Sequence, residues 1–362
     1  MIGNLFGIDI ELHWSFVLLL LIFLLLSPAY LIFWILLFLF VLIHEFSHSL
    51  TAKHYNVKVS KIVLLPIGGM SVMDLDNIKP KNEFLIALAG PMANIVIGLL
   101  FLPALLLPHN NALYITALLL IEINLVLGLF NLIPGFPIDG GRILRSYLQQ
   151  RMDHLRATEL AVKASKITLA VFLAIAFFFS LFWKGYSITY REFLVLYDLI
   201  IAMFLYEGSQ AELRSAYITK YAAKITVESA MTKKFLLIPK STTLPSLYNK
   251  LIKTHIPLVV FWEGSAVKAV TKWSAGGYLK KGRNAASAPL LARDFGTEIP
   301  TVPSGSRLIR AIDKMRNADT GLVAVVKSGK IVGLITSQHA ESVIALHLSA
   351  MRNLSGGNGE GR

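Results

Sequence analysis

The sequence predicts an α-helical polytopic membrane domain, six transmembrane helices with a membrane-dipping β-hairpin, followed by a soluble α/β module. Three observations lead there. Of 362 residues, 55% are hydrophobic and only 16% charged, against about 25% charged in an ordinary soluble domain, which excludes a soluble enzyme. The charge is unevenly placed: residues 1–214 carry 14 Lys+Arg and 14 Asp+Glu, whereas residues 215–362 carry 21 and 8, so the formal +13 belongs wholly to the second part. Apolar runs of spanning length recur through the first part and stop near Tyr217. With no cysteine, disulfides and thiolate metal sites are also excluded.

A transmembrane helix needs about 20 mostly apolar residues. The run Trp14–Ile43 is too long for one crossing, and Ser27-Pro28 supplies a turn, so two helices are expected at about 13–27 and 30–54. The N-terminus lacks the basic region and small-residue cleavage site of a signal peptide. Residues Val57–Met73 are β-branched and partly alternating, with Gly68-Gly69 for a turn. They read as a hairpin dipping into the cytoplasmic face, its edge either pairing with an extended substrate or only plugging the bundle. Further spans fall at about 82–107, 112–132, 158–182 and 190–211.

Lys and Arg collect in cytoplasmic loops. Lys53, Lys58, Lys61, Lys79 and Lys81 follow helix two, and Arg142, Arg145, Arg151, Arg156, Lys163 and Lys166 follow helix four. The opposite side has only Lys184 and Arg191. A multi-pass cell-membrane protein with both termini in the cytoplasm is expected.

The chemistry sits inside these spans. His44-Glu45-Phe46-Ser47-His48 is the pattern H-E-x-x-H near the end of helix two. Positions i and i+4 share a helix face, so both imidazoles can grip one zinc ion, and Glu45 is placed to take a proton from the attacking water. Ionisable groups within a span are costly and default to function. A catalytic zinc takes three protein ligands plus water. His54 has metzincin spacing, but Thr51 stands where that motif needs glycine, and a continuing helix turns His54 away. The better candidate is Asp139, in Asn131-Leu-Ile-Pro-Gly-Phe-Pro-Ile-Asp139-Gly-Gly141. Two prolines and three glycines break helix four, and irregular backbone at membrane depth belongs where protein or a water-filled cavity covers it. Asp139 there is either the third ligand or a cap on the next helix. Glu122, Asn124 and Asp198 lie mid-span and either line a water path or pair between helices.

In these residues the sequence resembles the site-2 protease family of intramembrane zinc metalloproteases. The resemblance rests on His44–His48 and Asn131-x-x-Pro134-x-x-Pro137-x-Asp139-Gly140, with Pro66-Ile-Gly68-Gly69 and Ala89-Gly90-Pro91-Met-Ala-Asn94 between them. It implies one zinc per chain held by His44, His48 and Asp139, Glu45 as general base, and Asn131 binding substrate or stabilising the transition state. Asn131 could do so by donating its amide N–H to the developing oxyanion. The implied substrates are transmembrane segments of other proteins.

After Tyr217 two stretches repeat at a spacing of about 70 residues. The first holds Leu236–Pro239, a helix Leu244–Thr254, Pro257–Phe261 and Ala266–Thr271; the second holds Ile299–Pro303, a helix Arg307–Met315, Gly321–Val326 and Lys330–Thr336. They resemble a tandem pair of CBS domains, which implies a regulatory module and a homodimer through it. The domain division expected is 1–214 membrane domain, 215–225 linker, 226–284 and 285–350 CBS domains, and 351–362 disordered tail. CBS pairs often bind adenine nucleotides, but where the family has Thr-x-x-Asp this chain has Thr271-Lys-Trp-Ser274 and Thr336-Ser-Gln-His339. Nucleotide binding and a purely dimerising or membrane-apposed module both stay open. No helix–turn–helix or aromatic-basic platform supports nucleic acid, and the +13 fits the anionic cytoplasmic leaflet of the bilayer better. The rival reading, a CBS-gated membrane transporter or channel, leaves His44, Glu45, His48 and Asp139 without a role.

Overall fold

The computed structural model describes residues 3–75, 78–109, 111–182, 188–253, 258–271, 291, 294 and 296–356. The chain divides into two units, Met1–Ala216 and Tyr217–Arg362.

In the first unit helices form in the expected apolar runs. Helix α1 (Trp14–Leu26) begins where the His13 ring accepts from the Ser15 N–H and ends at extended Ser27. Pro28, whose missing N–H costs nothing in a first turn, opens α2 (Pro28–His54). Pro80 opens α3 (Pro80–Leu100) in the same way, and a 3₁₀ turn, Leu102–Leu106, follows it. Helix α4 (Ala112–Leu132) is capped by Asn111, whose side chain accepts from the Leu113 N–H. Then come α5 (Asp139–Gln149), α6 (His154–Phe182) and α7 (Ile188–Ala222). Among the described residues, four helical stretches are long and apolar enough to cross a membrane: Leu31–His54, Pro80–Leu106, Ala112–Leu132 and His154–Phe179. Large apolar side chains such as Leu25, Ile32, Val96, Phe177 and Met203 are exposed, a surface that water would not tolerate at this extent. Helices α3 and α4 approach closely through small residues: a Cβ at Gly128 would stand 2.8 Å from Ile95 and 2.9 Å from the Pro91 carbonyl.

The hairpin is present as β3 (Val59–Leu65) and β4 (Gly68–Met73), antiparallel with Leu65 opposite Gly68. It belongs to a larger sheet than expected. Strands β1 (Gly3–Leu5) and β2 (Ile8–Leu12) precede α1, β2 pairs parallel with β3, and the order is β1-β2-β3-β4. The alternation Ile8-Asp-Ile-Glu-Leu12 that marks β2 is five residues long, too short to stand out before its partner fifty residues away is known. Strand β4 is an edge.

The second unit is an α/β module. It contains α8 (Val227–Ala230), β5 (Leu236–Leu237), α9 (Leu244–Lys253), β6 (Leu258–Glu263) and β7 (Ala266–Thr271). The second copy supplies β8 (Thr297–Ile299), β9 (Thr301–Pro303), α10 (Leu308–Asn317), β10 (Leu322–Lys327), β11 (Lys330–Thr336) and α11 (Ser337–Gly356). The sheets run β5-β6-β7-β8 and β11-β10-β9. The copies exchange their leading segments: β8 pairs with β7 of the first copy, and Thr232 bridges Leu334 of the second. Val323, Val325 and Ile335 face α10 and α11, while Leu322, Ala324 and Leu334 pack on Val260, Val267 and Ile299 of the other sheet. Burial on both faces is why these strands read as unbroken apolar runs.

Two expectations are corrected here. Residues 215–222 of the expected linker are the last turns of α7, and Ala222 and Ile225 are buried in the second unit's core. The expected tail is helical as far as Gly356; its last six residues, like Lys184, Pro257 and the Lys272–Ser274 stretch, lie outside the described residues.

Candidate metal centre

Helix geometry alone brings His44 and His48 onto one face of α2. In the fold their Nε2 atoms stand 3.0 Å apart, and Oδ2 of Asp139 lies 2.9 Å from Nε2 of His44 and 3.1 Å from that of His48. Among the described residues these are the three His, Asp or Glu side chains whose ligand atoms gather closely enough to hold a metal ion. The side chains are 7, 7 and 17% exposed, so the cluster is screened but reachable past Asp139.

Each histidine is aimed by a second bond. Nδ1 of His48 lies 2.7 Å from the Ile86 carbonyl, which can only accept, so that nitrogen carries the proton and Nε2 offers a lone pair. Nδ1 of His44 lies 2.8 Å from Oδ1 of Asn94. Asp139 is the first residue of α5, after the N-cap Ile138, and its carboxylate is turned to the histidines. Two imidazole lone pairs and a carboxylate oxygen at about 3 Å repel one another unless a cation sits among them. Space has been kept for one. A Cβ at Gly90 of α3 would fall upon Nε2 of His48 and 2.6 Å from Nε2 of His44. The donor set of two imidazoles and one carboxylate, with an open side, is that of a catalytic zinc site.

The loop that delivers Asp139 is tightly held. The Phe136 N–H donates to Oγ of Ser165 (2.7 Å), and Oγ1 of Thr168 donates to the Pro134 carbonyl (2.9 Å), both from α6. A Cβ at Gly141 would stand 2.6 Å from the Phe136 nitrogen, so glycine lets the loop fold back over the first turn of α5. Deeper in the unit, Arg145 of α5 is buried between Glu83 of α3 and Glu212 of α7, bonding Glu212 at 2.8 Å and stacking over the Phe136 ring at 5.3 Å. Burial alone would lower its guanidinium; the charges of Glu83 and Glu212 outweigh that and raise it.

Glu45 projects toward the hairpin. Oγ of Ser71 on β4 donates to its Oε2 at 2.5 Å, and a Cβ at Gly69 would stand 3.1 Å from its Cδ. Asn131, in the last turn of α4, donates one amide N–H back to the Leu127 carbonyl at 2.9 Å. His54 is exposed at the end of α2, outside the cluster. Asn124 is buried and bonds α3 through Asn94, whereas Glu122 lies exposed on α4. Composition and motif reading missed Asn94, Ser71 and the Arg145 ion pairs as functional neighbours. The sequence offered one signal for them, the placement of Asn94 within the Ala89–Asn94 motif.

The sequence model of peptidase family M50 matches residues 32–112 and 108–179, and that of the CBS domain matches 292–344. Over 337 residues the chain is 31% identical to a zinc metalloprotease of Methanocaldococcus jannaschii, covering 91% of each protein. The chain belongs to peptidase family M50. This M50 peptidase is also 32% identical over 130 residues to stage IV sporulation protein FB of Bacillus subtilis, covering 36% of the chain and 44% of that protein. A solved site-2 protease from Methanocaldococcus jannaschii is 36% identical, covering 59% of this chain and 94% of that one at a TM-score of 0.42. The M50 chain is a metalloprotease, with helices long and apolar enough to cross a membrane and a CBS module.

Proposed function

We propose that the protein is an intramembrane zinc endopeptidase that cuts peptide bonds in or near transmembrane segments of other membrane proteins. The observation that carries this is the convergence of Asp139, the first residue of α5, with His44 and His48 beside Glu45 on α2, a helix of spanning length. His44, His48 and Asp139, whose Nε2, Nε2 and Oδ2 atoms gather together, would hold the metal. Zinc bound there lowers the pKa of water to about 7 and polarises the scissile carbonyl. Glu45 takes a proton from the attacking water, and Ser71 holds its second oxygen so that the first stays free for that proton. As the carbon–nitrogen bond breaks, Glu45 returns the proton to the leaving amine. Among the described residues Asn131 keeps one amide N–H uncommitted after its bond to Leu127, enough to donate to substrate or to the developing oxyanion.

A helical substrate hides its carbonyls, so it must be unwound before cleavage. The edge strand β4, which carries Ser71, offers main-chain partners to an extended segment. Six spans, α1 to α4, α6 and α7, with the hairpin entering from the cytoplasmic face, accommodate the apolar runs and the one-sided lysines and arginines. Both termini and the CBS module then lie in the cytoplasm, with the module's net +13 favouring anionic lipid. The module modulates the protease and pairs two chains. In its second copy Thr336 Oγ1 accepts from the His339 N–H and lies 3.1 Å from the His339 ring, so an imidazole stands where a ribose-binding carboxylate would. An adenine nucleotide is the less favoured ligand.

Two measurements test the reading. Purified protein should contain about one zinc per chain, and Glu45→Gln should keep it while losing cleavage of a membrane-embedded substrate, since general-base catalysis supplies about 10²–10⁴-fold. Full activity in Glu45→Gln sinks the mechanism, and a wild type without zinc sinks the site.

A further inference from the structure

Two buried amides stand behind His44, and the cleavage chemistry uses neither. Asn94 of α3 and Asn124 of α4 are fully buried. They form one directed chain. Nδ2 of Asn124 donates to the Leu120 carbonyl at 2.9 Å, Nδ2 of Asn94 donates to Oδ1 of Asn124 at 3.1 Å, and Oδ1 of Asn94 lies 2.8 Å from Nδ1 of His44.

The direction of this chain is forced from its far end. A backbone carbonyl only accepts, so Asn124 must present its NH₂ to Leu120 and its oxygen to Asn94. Asn94 must then present its NH₂ to Asn124 and its oxygen to His44. An oxygen facing Nδ1 requires that nitrogen to carry the proton, which leaves Nε2 as the lone pair aimed at Asp139 and His48. For His48 the Ile86 carbonyl achieves the same end in one step. His44 sits one turn earlier along α2, where what faces it is a side-chain amide of either possible orientation. A second amide is needed to choose.

We propose that Asn94 and Asn124 are positioning residues that form a hydrogen-bond relay, anchored on the Leu120 carbonyl, which fixes His44 in its metal-binding tautomer. The inference rests on the metal reading of His44, His48 and Asp139. Asn94 supplies the acceptor. Asn124 bonds Asn94 and the Leu120 carbonyl, and acts by keeping Asn94 from turning over. Losing an outer partner of a metal-binding histidine typically costs 10–100-fold in affinity.

The test is a double-mutant cycle on the full chain in detergent, reading zinc affinity by competition with a chromophoric chelator. Asn124→Leu should weaken zinc by about 10–100-fold. Asn94→Asp should hold close to wild-type affinity, because a carboxylate accepts through both oxygens and needs nothing to orient it. Adding Asn124→Leu to Asn94→Asp should then cost nothing further. A packing role for Asn124 predicts the same loss in both backgrounds, and that result overturns the relay, as does wild-type affinity in Asn124→Leu alone. Should the leucine variants fail to fold, Asn124→Ala in the same two backgrounds is held to the same outcomes. A wild type that binds no zinc overturns the metal reading itself, which separates the two failures.

Discussion

Gly90→Ala should weaken the metal centre while leaving the helix that carries it intact. The backbone of α3 passes directly beneath both imidazoles, and the added methyl would stand upon Nε2 of His48 and 2.6 Å from Nε2 of His44, well inside an ordinary contact of about 3.5–4 Å. Neither ring can retreat freely. Nδ1 of His44 lies 2.8 Å from Asn94 and Nδ1 of His48 lies 2.7 Å from Ile86, so displacement means breaking a buried hydrogen bond. Overpacking of one methyl costs about 1–3 kcal/mol. If that cost falls on the liganded state, at about 1.4 kcal/mol per tenfold, zinc affinity drops about 5- to 150-fold. The fold itself is expected to hold, because alanine favours a helix interior over glycine by about 1 kcal/mol. The assay is zinc content after dialysis against graded chelator, with a thermal melt of the metal-free protein alongside. A Gly90→Ala protein that binds zinc as tightly as the wild type would refute the placement of the metal beside α3.

Other substitutions separate the parts of the site. Gly69→Ala should push the Glu45 carboxylate aside, retaining zinc but lowering cleavage about 100-fold, as expected for a catalytic group misplaced by about 1 Å; retained turnover would show that the hairpin does not set Glu45. Arg145→Met strands Glu83 and Glu212 as uncompensated charges. Breaking such a buried group typically costs about 3–5 kcal/mol, and Glu212, 26% exposed, puts the loss at the lower end. A thermal melt of the full chain in detergent checks it, and an unchanged midpoint counts against the triad as the clasp of α5. In the second unit, Gly333→Val should destabilise the CBS module by about 1–3 kcal/mol, because its side chain would meet Cγ of Met231 within 2.8 Å. Melting of that unit, followed by its own tryptophans or by proteolysis, should shift while zinc content stays constant.

Much of the site was legible because its chemistry is local. The spacing of His44 and His48 guarantees one helix face whatever the rest of the chain does. Prolines and glycines around Asp139 announce broken backbone in a place where broken backbone is expensive. The spans and the hairpin follow from run length and alternation, which are likewise local. Strand β2 escaped notice because its pairing with β3 bridges fifty residues and the whole of α1 and α2. The leading segments of the CBS copies read as parts of their own copy, and only pairing shows that Ile299 and Thr232 serve the other.

The sequence by itself therefore determined the two-part character of the protein, its helices, and the residue types able to meet a metal. Tertiary structure decided which neighbours aim them. Asn94, Asn124 and Ile86 set the histidine nitrogens, Ser71 holds Glu45, and Arg145, counted in the sequence as one more cytoplasmic charge, proves to be buried between Glu83 and Glu212. The physical reason is the range of the forces involved. Helix propensity and hydrophobic run length act through a few consecutive residues, whereas a hydrogen bond about 3 Å long depends on the rotation and register of two helices that the chain brings together from many residues apart.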